Sequence, residues 1–336
     1  MGCNRFSHPS SIKGLASPAR IRVGIAVLRE RITPGFPQVR ITTDQSTLDG
    51  DGVPHPRKRF GQHWLKDSRI HQAIVQAAQV CPKTTVLEIG PGTGQLTRRL
   101  LQQGSQVIAS EIDRDLCQVL RQQFAAEPRF HLQEGDFLAM PLPPEATHVV
   151  ANIPYNITGP ILGKLLGSPH HPNRQWQRIV LMVQKEVAER ITATPGQKSY
   201  GAMSVRIQFL ASCEWICTVP PQAFYPPPKV HSAVIALTPR PYPTPVRDPH
   251  WLETLITLGF RNRRKTLANS LHPPLAKDHV AAALMALDRD PRSRGETLGV
   301  EEWICLSHLL PCPPRQNHVR SDSAPAHSQS SGFVVH

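Results

Sequence analysis

Three things are scarce in this sequence, and each scarcity excludes something. There is no Cys-x-x-Cys pair: Cys3, Cys81, Cys117, Cys213, Cys217, Cys305 and Cys312 are an odd, scattered set, which argues against a disulfide framework and against a zinc site. No metal and a reducing, cytoplasmic compartment are therefore expected, with Cys213 and Cys217 read as small buried side chains. No run approaches the roughly 18 apolar residues that a membrane-spanning helix requires, so no membrane partner is expected. Met1-Gly2-Cys3 is followed by Phe6 where a myristoylation signal wants Ser or Thr. Acidic residues are the third shortage: 25 Asp+Glu stand against 38 Lys+Arg, a formal charge of +13. Residues 1–56 hold seven Lys/Arg and four Asp/Glu, and 311–336 two Arg and one Asp, which leaves +9 on the stretch between them. A polyanionic partner follows.

Residues 1–55 lack sustained periodicity and are broken by Pro, Gly and Ser, which predicts a flexible extension. Arg20, Arg22, Arg29 and Arg31 give it a transit-peptide colour that Glu30, Asp44, Asp49 and Asp51 dilute. Residues 311–336, rich in Pro, Ser and His, are expected to be a disordered tail. Between these ends, strand-length apolar runs at 85–90, 106–111, 130–134, 147–151 and 178–183 alternate with helical patterns such as 95–103 and 114–125. That alternation predicts an α/β fold with a mostly parallel sheet covered on both faces. Residues 205–219 and 229–238 read as two long strands in an antiparallel hairpin at one sheet edge. After the Pro-rich break at Pro239, Pro241, Pro243 and Pro245, helical spacing returns over 251–310. The expected organisation is one α/β domain over 56–245 and a small all-helical domain over 246–310.

The strand Val86-Leu87-Glu88-Ile89 runs into Gly90-Pro91-Gly92-Thr93-Gly94 and then a helix. Glycines at such a turn let the backbone bend sharply and approach a nucleotide-like ligand closely. Gln95 stands where a dinucleotide fingerprint wants its third Gly. Glu111 ends the next strand, at the place where a carboxylate accepts ribose hydroxyls; Asp113 is the fallback. Asp136, after the third strand, is placed to accept from an adenine amino group.

A further strand ends in Asn152-Ile153-Pro154-Tyr155. An adenine N6 nitrogen is a poor nucleophile because its lone pair is delocalised into the ring. The Asn152 side-chain oxygen and the Ile153 carbonyl, fixed by Pro154, could accept its two hydrogens while Tyr155 stacks on the base. A base read in this way must leave its helix.

The ordered segments Arg59-Phe60-Gly61-Gln62-His63-Trp64-Leu65, Glu88-Ile89-Gly90-Pro91-Gly92, Glu111-Ile112-Asp113-Arg114-Asp115, Gly135-Asp136, Asn152-Ile153-Pro154-Tyr155-Asn156 and Pro226-Pro227-Pro228-Lys229-Val230 resemble the ribosomal RNA adenine dimethyltransferases over about 57–310. Within them the chain is most similar to the small-subunit group, which modifies two adjacent adenines in a hairpin near the 3′ end of 16S ribosomal RNA. The resemblance implies a Rossmann-like class I methyltransferase fold and S-adenosylmethionine as donor. It also implies cofactor contacts at His63, Leu65, Gly90, Gly92, Glu111, Asp136 and Asn152. Phe224, to which the apolar pattern alone gives a core role, would form the second face of the base-stacking slot. The family usually has Asn-Phe-Leu where this chain has His63-Trp64-Leu65, so a carboxylate contact at His63 could become pH-dependent.

Arg261-Asn262-Arg263-Arg264-Lys265 opens a helix-like stretch reaching Leu267 and Leu271. Four cations in five residues point to RNA phosphates, and residues 197–201 are expected to be a flexible segment bordering the substrate cleft. The partner expected is small-subunit ribosomal RNA or an immature small subunit, bound by a monomer. The alternatives are a large-subunit RNA dimethyltransferase of the antibiotic-resistance type, a non-catalytic ribosome-assembly or transcription factor of the same fold, and a nicotinamide oxidoreductase. The intact Asn152–Tyr155 segment and Glu111 disfavour the non-catalytic reading, and Gln95 disfavours the last.

Overall fold

A computed structural model describes residues 55–57 and 60–313. The expected extension, the tail beyond 313 and Arg59 of the first motif lie outside the described residues. The chain opens with a short strand β1 (Trp64–Leu65) and helix α1 (Ser68–Ala78), whose first turn is capped by Asp67 accepting from the Arg69 amide at 2.9 Å. It then alternates β2 (Thr85–Ile89), α2 (Gln95–Gln102), β3 (Gln106–Glu111), α3 (Arg114–Gln123), β4 (Phe130–Glu134), β5 (His148–Asn152) and α4 (Thr158–Leu166). A minimal hairpin, β6 (Gly167–Ser168) and β7 (His171–Pro172), leads into β8 (Arg178–Gln184), α5 (Lys185–Thr192), α6 (Ala202–Leu210), β9 (Ala211–Val219), β10 (Phe224–Tyr225) and β11 (Ser232–Pro239). Four helices close the chain: α7 (Pro249–Gly259), α8 (Leu267–Ser270), α9 (Lys277–Ala286) and α10 (Val300–Leu309).

Seven strands form one sheet in the order β4-β3-β2-β5-β8-β11-β9. The first five are mutually parallel, while β11 runs antiparallel to both β8 and β9. The chain builds outward from β2 to β4 and then returns to β5 on the other side. That reversal opens a crevice at the carboxyl ends of β2 and β5, where doubly wound sheets bind ligands. Register puts the four strand tips on one edge: Ile89 pairs with Ser110 and with Ala151, and Glu111 with Glu134.

Alternate residues of the central strands serve opposite layers. Ile179, Leu181 and Val183 of β8 join the larger apolar cluster with α4 to α10; Val180 and Met182 face the smaller one with α1, α2 and Phe124. Both faces are dry, which explains near-continuous apolar runs in the strands. The larger cluster continues without a break from the sheet into the C-terminal helices, where Trp303 is wholly buried. Gly259 permits that closeness: a Cβ there would lie 2.3 Å from the Trp303 ring. Among the described residues no helix is long and apolar enough to cross a membrane.

The edge hairpin is present, but two expectations need correction. Residues 205–210 are the end of helix α6, not the start of a strand. This helix buries Ser204, Val205, Ile207, Phe209 and Leu210, so it shows no polar face that would betray a helical period. Its start is fixed by the Gly201 amide donating to Ser204 Oγ at 3.0 Å. Residues 261–265 are a loop rather than a helix, because α7 ends at Gly259 and α8 begins only at Leu267, where the Leu267 amide donates to the Ser293 carbonyl at 2.8 Å.

Candidate active site

The crevice at the strand tips is a cavity walled by Gly61–Trp64, Gly90 and Gly92, Glu111 and Ile112, Asp136 and Phe137, and Asn152–Tyr155. Residues from five separate motifs thus share one space. Gly90, Gly92 and Gly94 have φ of 66°, 58° and 76°, a left-handed region costly for residues with a Cβ. Nothing lies within 4 Å of a Cβ built on Gly90, so its missing side chain leaves room for a ligand. At Gly94 the reason is packing, since a Cβ would sit 2.8 Å from the Phe124 ring.

Glu111 is buried at the tip of β3. Its Oε1 accepts from the amides of Ile112 and Asp113, both at 2.9 Å, and Oε2 from the Gly92 amide at 3.2 Å. The carboxylate therefore ties β3 to the glycine turn and keeps a lone pair on Oε2 for a ligand's hydroxyl. Burial raises its pKa against the lowering pull of those amides. Asp113, the fallback, is committed elsewhere: it accepts from Arg57 at 2.9 Å, from Gln62 at 3.0 Å and from the Asp115 amide as the cap of α3. Asp136 lines the cavity and accepts from the Leu138 amide at 2.9 Å.

Asn152 is the last residue of β5, and its amide NH2 donates to the His63 carbonyl at 3.0 Å. With that nitrogen anchored, the amide oxygen is the group left to act as acceptor. Ile153 is buried, and Pro154 has φ −60°. Tyr155 is held at its hydroxyl by Ser232 of β11, and its ring lies 17° from the plane of His63 at 6.3 Å; burial raises its pKa. An aromatic so held can present a ring face without rotating away.

His63, just before β1, and Leu65 within it flank the same region, and β1 pairs with β10 through Leu65 and Phe224. His63 Nδ1 lies 2.7 Å from the Pro226 carbonyl, which can only accept, so Nδ1 carries the proton. The pairing with β1 turns Phe224 inward. Its side chain is 1% exposed in the smaller apolar cluster and is not among the cavity's walls, so in this structure it serves the core, as its apolar pattern alone suggests.

Several groups in or beside the site were not singled out from the sequence. Glu88 is wholly buried in β2 beside a second, smaller cavity that it lines with Trp64, His71, Gly90–Thr93 and Asn152. Thr97 donates to it at 2.6 Å, and burial pushes its carboxyl up to about 8. An acid inside an apolar strand was the available signal. Lys164 donates from Nζ to the carbonyls of Phe137, Leu138 and Met140, a clamp that no short motif announces.

Residues 54–303 match the ribosomal RNA adenine dimethylase family. The chain belongs to that family. As a ribosomal RNA adenine dimethylase it is an enzyme that uses S-adenosylmethionine. The chain is 61% identical over 262 residues to the ribosomal RNA small subunit methyltransferase A of Synechococcus sp. (strain JA-3-3Ab), covering 77% of this chain and 94% of that one. It is 54% identical over 256 residues to the protein of the same name from Thermosynechococcus vestitus, covering 76% and 96%. Its fold matches the crystal structure of a dimethyladenosine transferase from Plasmodium falciparum with TM-score 0.62 at 27% identity, over 73% of this chain and 96% of that one. It also matches the 23S rRNA methyltransferase ErmE with TM-score 0.63 at 29% identity, over 74% and 99%.

The residues present fit the cofactor. Glu111 offers a carboxylate whose Oε2 accepts only one amide where ribose hydroxyls need acceptors. Ile112, 45% exposed although apolar, and buried Phe137 give the cavity apolar walls suited to a purine, and Asp136 stands beside them as an acceptor. The basic stretch 261–265 divides in the structure. Arg263, though exposed like its neighbours, donates to the carbonyls of Lys198 and Tyr200 and to Glu296, so it braces the protein's own surface. Arg261, Arg264 and Lys265 are exposed. The expected flexible segment at 197–201 is likewise pinned: Tyr200 is wholly buried and its hydroxyl donates to the Leu298 carbonyl at 2.9 Å.

Proposed function

We propose that this enzyme dimethylates N6 of two adjacent adenines in a hairpin near the 3′ end of small-subunit ribosomal RNA, acting as a cytoplasmic monomer on the immature small subunit. One observation carries the catalytic part: Asn152 ends β5 with its amide nitrogen tied to the His63 carbonyl. Its oxygen is thereby aimed as an acceptor beside the Ile153 carbonyl. When bound, the cofactor supplies an electrophilic methyl group.

The protein's own task is to hold an extruded adenine so that its N6 lone pair points at that methyl. The Asn152 oxygen and the Ile153 carbonyl accept the two N6 hydrogens, which draws the lone pair out of conjugation with the ring. Tyr155, anchored by Ser232, stacks on the base and offsets part of the cost of unstacking it. No strong base is needed, since each methyl transfer leaves a positive charge on the nitrogen and makes its N–H acidic enough to lose the proton to water. Glu111 holds the cofactor's ribose and Asp136 its adenine amino group. Arg261, Arg264 and Lys265 make phosphate contacts that set the enzyme's register on RNA without reading sequence.

The relatives named for the small ribosomal subunit support this target. Incubating the enzyme and S-adenosylmethionine with immature small subunits and with large-subunit RNA, then mapping modified nucleotides by mass spectrometry, tests it. Two neighbouring dimethyladenosines in the small-subunit RNA are expected, and modification of the large-subunit RNA instead would overturn the assignment.

A further inference from the structure

The indole nitrogen of Trp64 is buried and has no hydrogen-bond partner among the described residues. A buried donor left unpaired costs free energy that a fold does not normally leave standing. Its position is informative. Trp64 lines both the main cavity and the smaller one, and its Nε1 and Cδ1 atoms lie 3.5 and 3.3 Å from where a Cβ on Gly92 would be. The donor edge of the ring thus faces the glycine turn.

The other polar groups around the smaller cavity are complementary to an amino acid. Glu88 contributes an acid in an otherwise apolar strand, and His71 presents a second buried ring nitrogen, Nδ1, without a partner. An acceptor on one side and an unpaired N–H on another suit an ammonium and a carboxylate carried on one carbon. His63, the donor that the sequence offers for that carboxylate, has its Nδ1 proton committed to the Pro226 carbonyl.

We propose that the Trp64 Nε1–H donates to the carboxylate of the cofactor's methionine end, seated in the small cavity between β1 and the glycine turn. Trp64 thereby supplies this contact while the His63 Nδ1 proton stays on the Pro226 carbonyl. The inference rests on the cofactor assignment. It makes the Trp64 N–H a determinant of affinity for the amino-acid end, apart from the ring's place in the wall of the main cavity.

The test compares two probes on the full-length chain, S-adenosylhomocysteine and 5′-methylthioadenosine, which lacks the amino-acid end. Trp64→Phe keeps an aromatic side chain, though a smaller one, and removes the N–H. Calorimetric titration is expected to show S-adenosylhomocysteine binding weakened about tenfold or more, the range for a hydrogen bond to a charged group. Affinity for 5′-methylthioadenosine should stay at the wild-type value, which also verifies folding. In wild-type protein labelled with 15N, the Trp64 indole resonance, identified by its absence from the variant, should move on adding S-adenosylhomocysteine and stay in place with 5′-methylthioadenosine. Unchanged affinity for S-adenosylhomocysteine, or a parallel loss for both probes, overturns the proposal. A wild type that binds neither probe overturns the cofactor assignment and this inference with it.

Discussion

Lys164 makes the sharpest link between packing and cofactor affinity. Its ammonium sits 4.7 Å from the centre of the Phe137 ring and donates to the carbonyls of Phe137, Leu138 and Met140. Burial lowers its pKa, against the opposing charge of Asp136. The loop so gripped carries both Asp136 and Phe137 of the cavity wall. Lys164→Met keeps most of the aliphatic stem and removes all three bonds. A charge-assisted bond contributes roughly 1.5–3 kcal/mol when desolvated, but Lys164 is only half-buried, and water can reach the freed carbonyls. A net loss of about 1–2 kcal/mol in loop order is therefore expected. If that leaves the cavity-forming loop conformation about one-tenth populated, apparent affinity falls about tenfold. Calorimetric titration with S-adenosylhomocysteine measures it, and hydrogen exchange locates it. The amides of Leu138, Ala139 and Met140, all bonded to Asp136, should exchange faster while those of β8 do not. Wild-type affinity together with unchanged exchange at these amides would refute the clamp.

Two further predictions follow from the same geometry. Arg263→Ala should lower stability by about 1 kcal/mol in urea titration, since it removes a solvent-screened brace to Glu296 and two carbonyls. Arg264→Ala should leave stability within about 0.5 kcal/mol and instead reduce the salt dependence of RNA binding by about one phosphate contact; the opposite pattern would refute this division. Glu88, pushed from 4.5 to about 8 by burial, keeps its proton when folded and loses it when unfolded between those limits. Its stabilising effect is whole below about 4.5, shrinks by ~1.4 kcal/mol per pH unit as pH rises, and is gone above about 8. Urea titrations across that window should therefore show Glu88→Gln gaining on the wild type as pH rises, and a constant difference would refute the shift.

The α/β alternation and the strand-tip acids were legible because strand period and glycine turns are local signals. Glu111 was preferred to Asp113 from its place at the strand tip; what the sequence did not show is that Asp113 is spent on Arg57, a partner 56 residues away. Arg263 and Arg264 are adjacent and chemically alike, and only the tertiary placement of Glu296 and of the Lys198 and Tyr200 carbonyls separates brace from free cation. Residues 205–210 misled because a helix buried on several sides has no polar stripe. Phe224 and Trp64 belong to two-residue strands too short to carry a period, so which way each ring faces is decided by pairing between segments far apart in the chain. Lys164 was silent in the sequence because its partners are main-chain carbonyls, which no side-chain pattern marks.

The account turns on Asn152 as the acceptor that aligns the target nitrogen. Labelled methyl transfer from S-adenosylmethionine to immature small subunits, by wild type and by Asn152→Ala at saturating cofactor, tests it directly. The account predicts a fall of about 100-fold or more in the variant's transfer rate, the scale for removing one preorganised polar group. Equal incorporation by both proteins would contradict it.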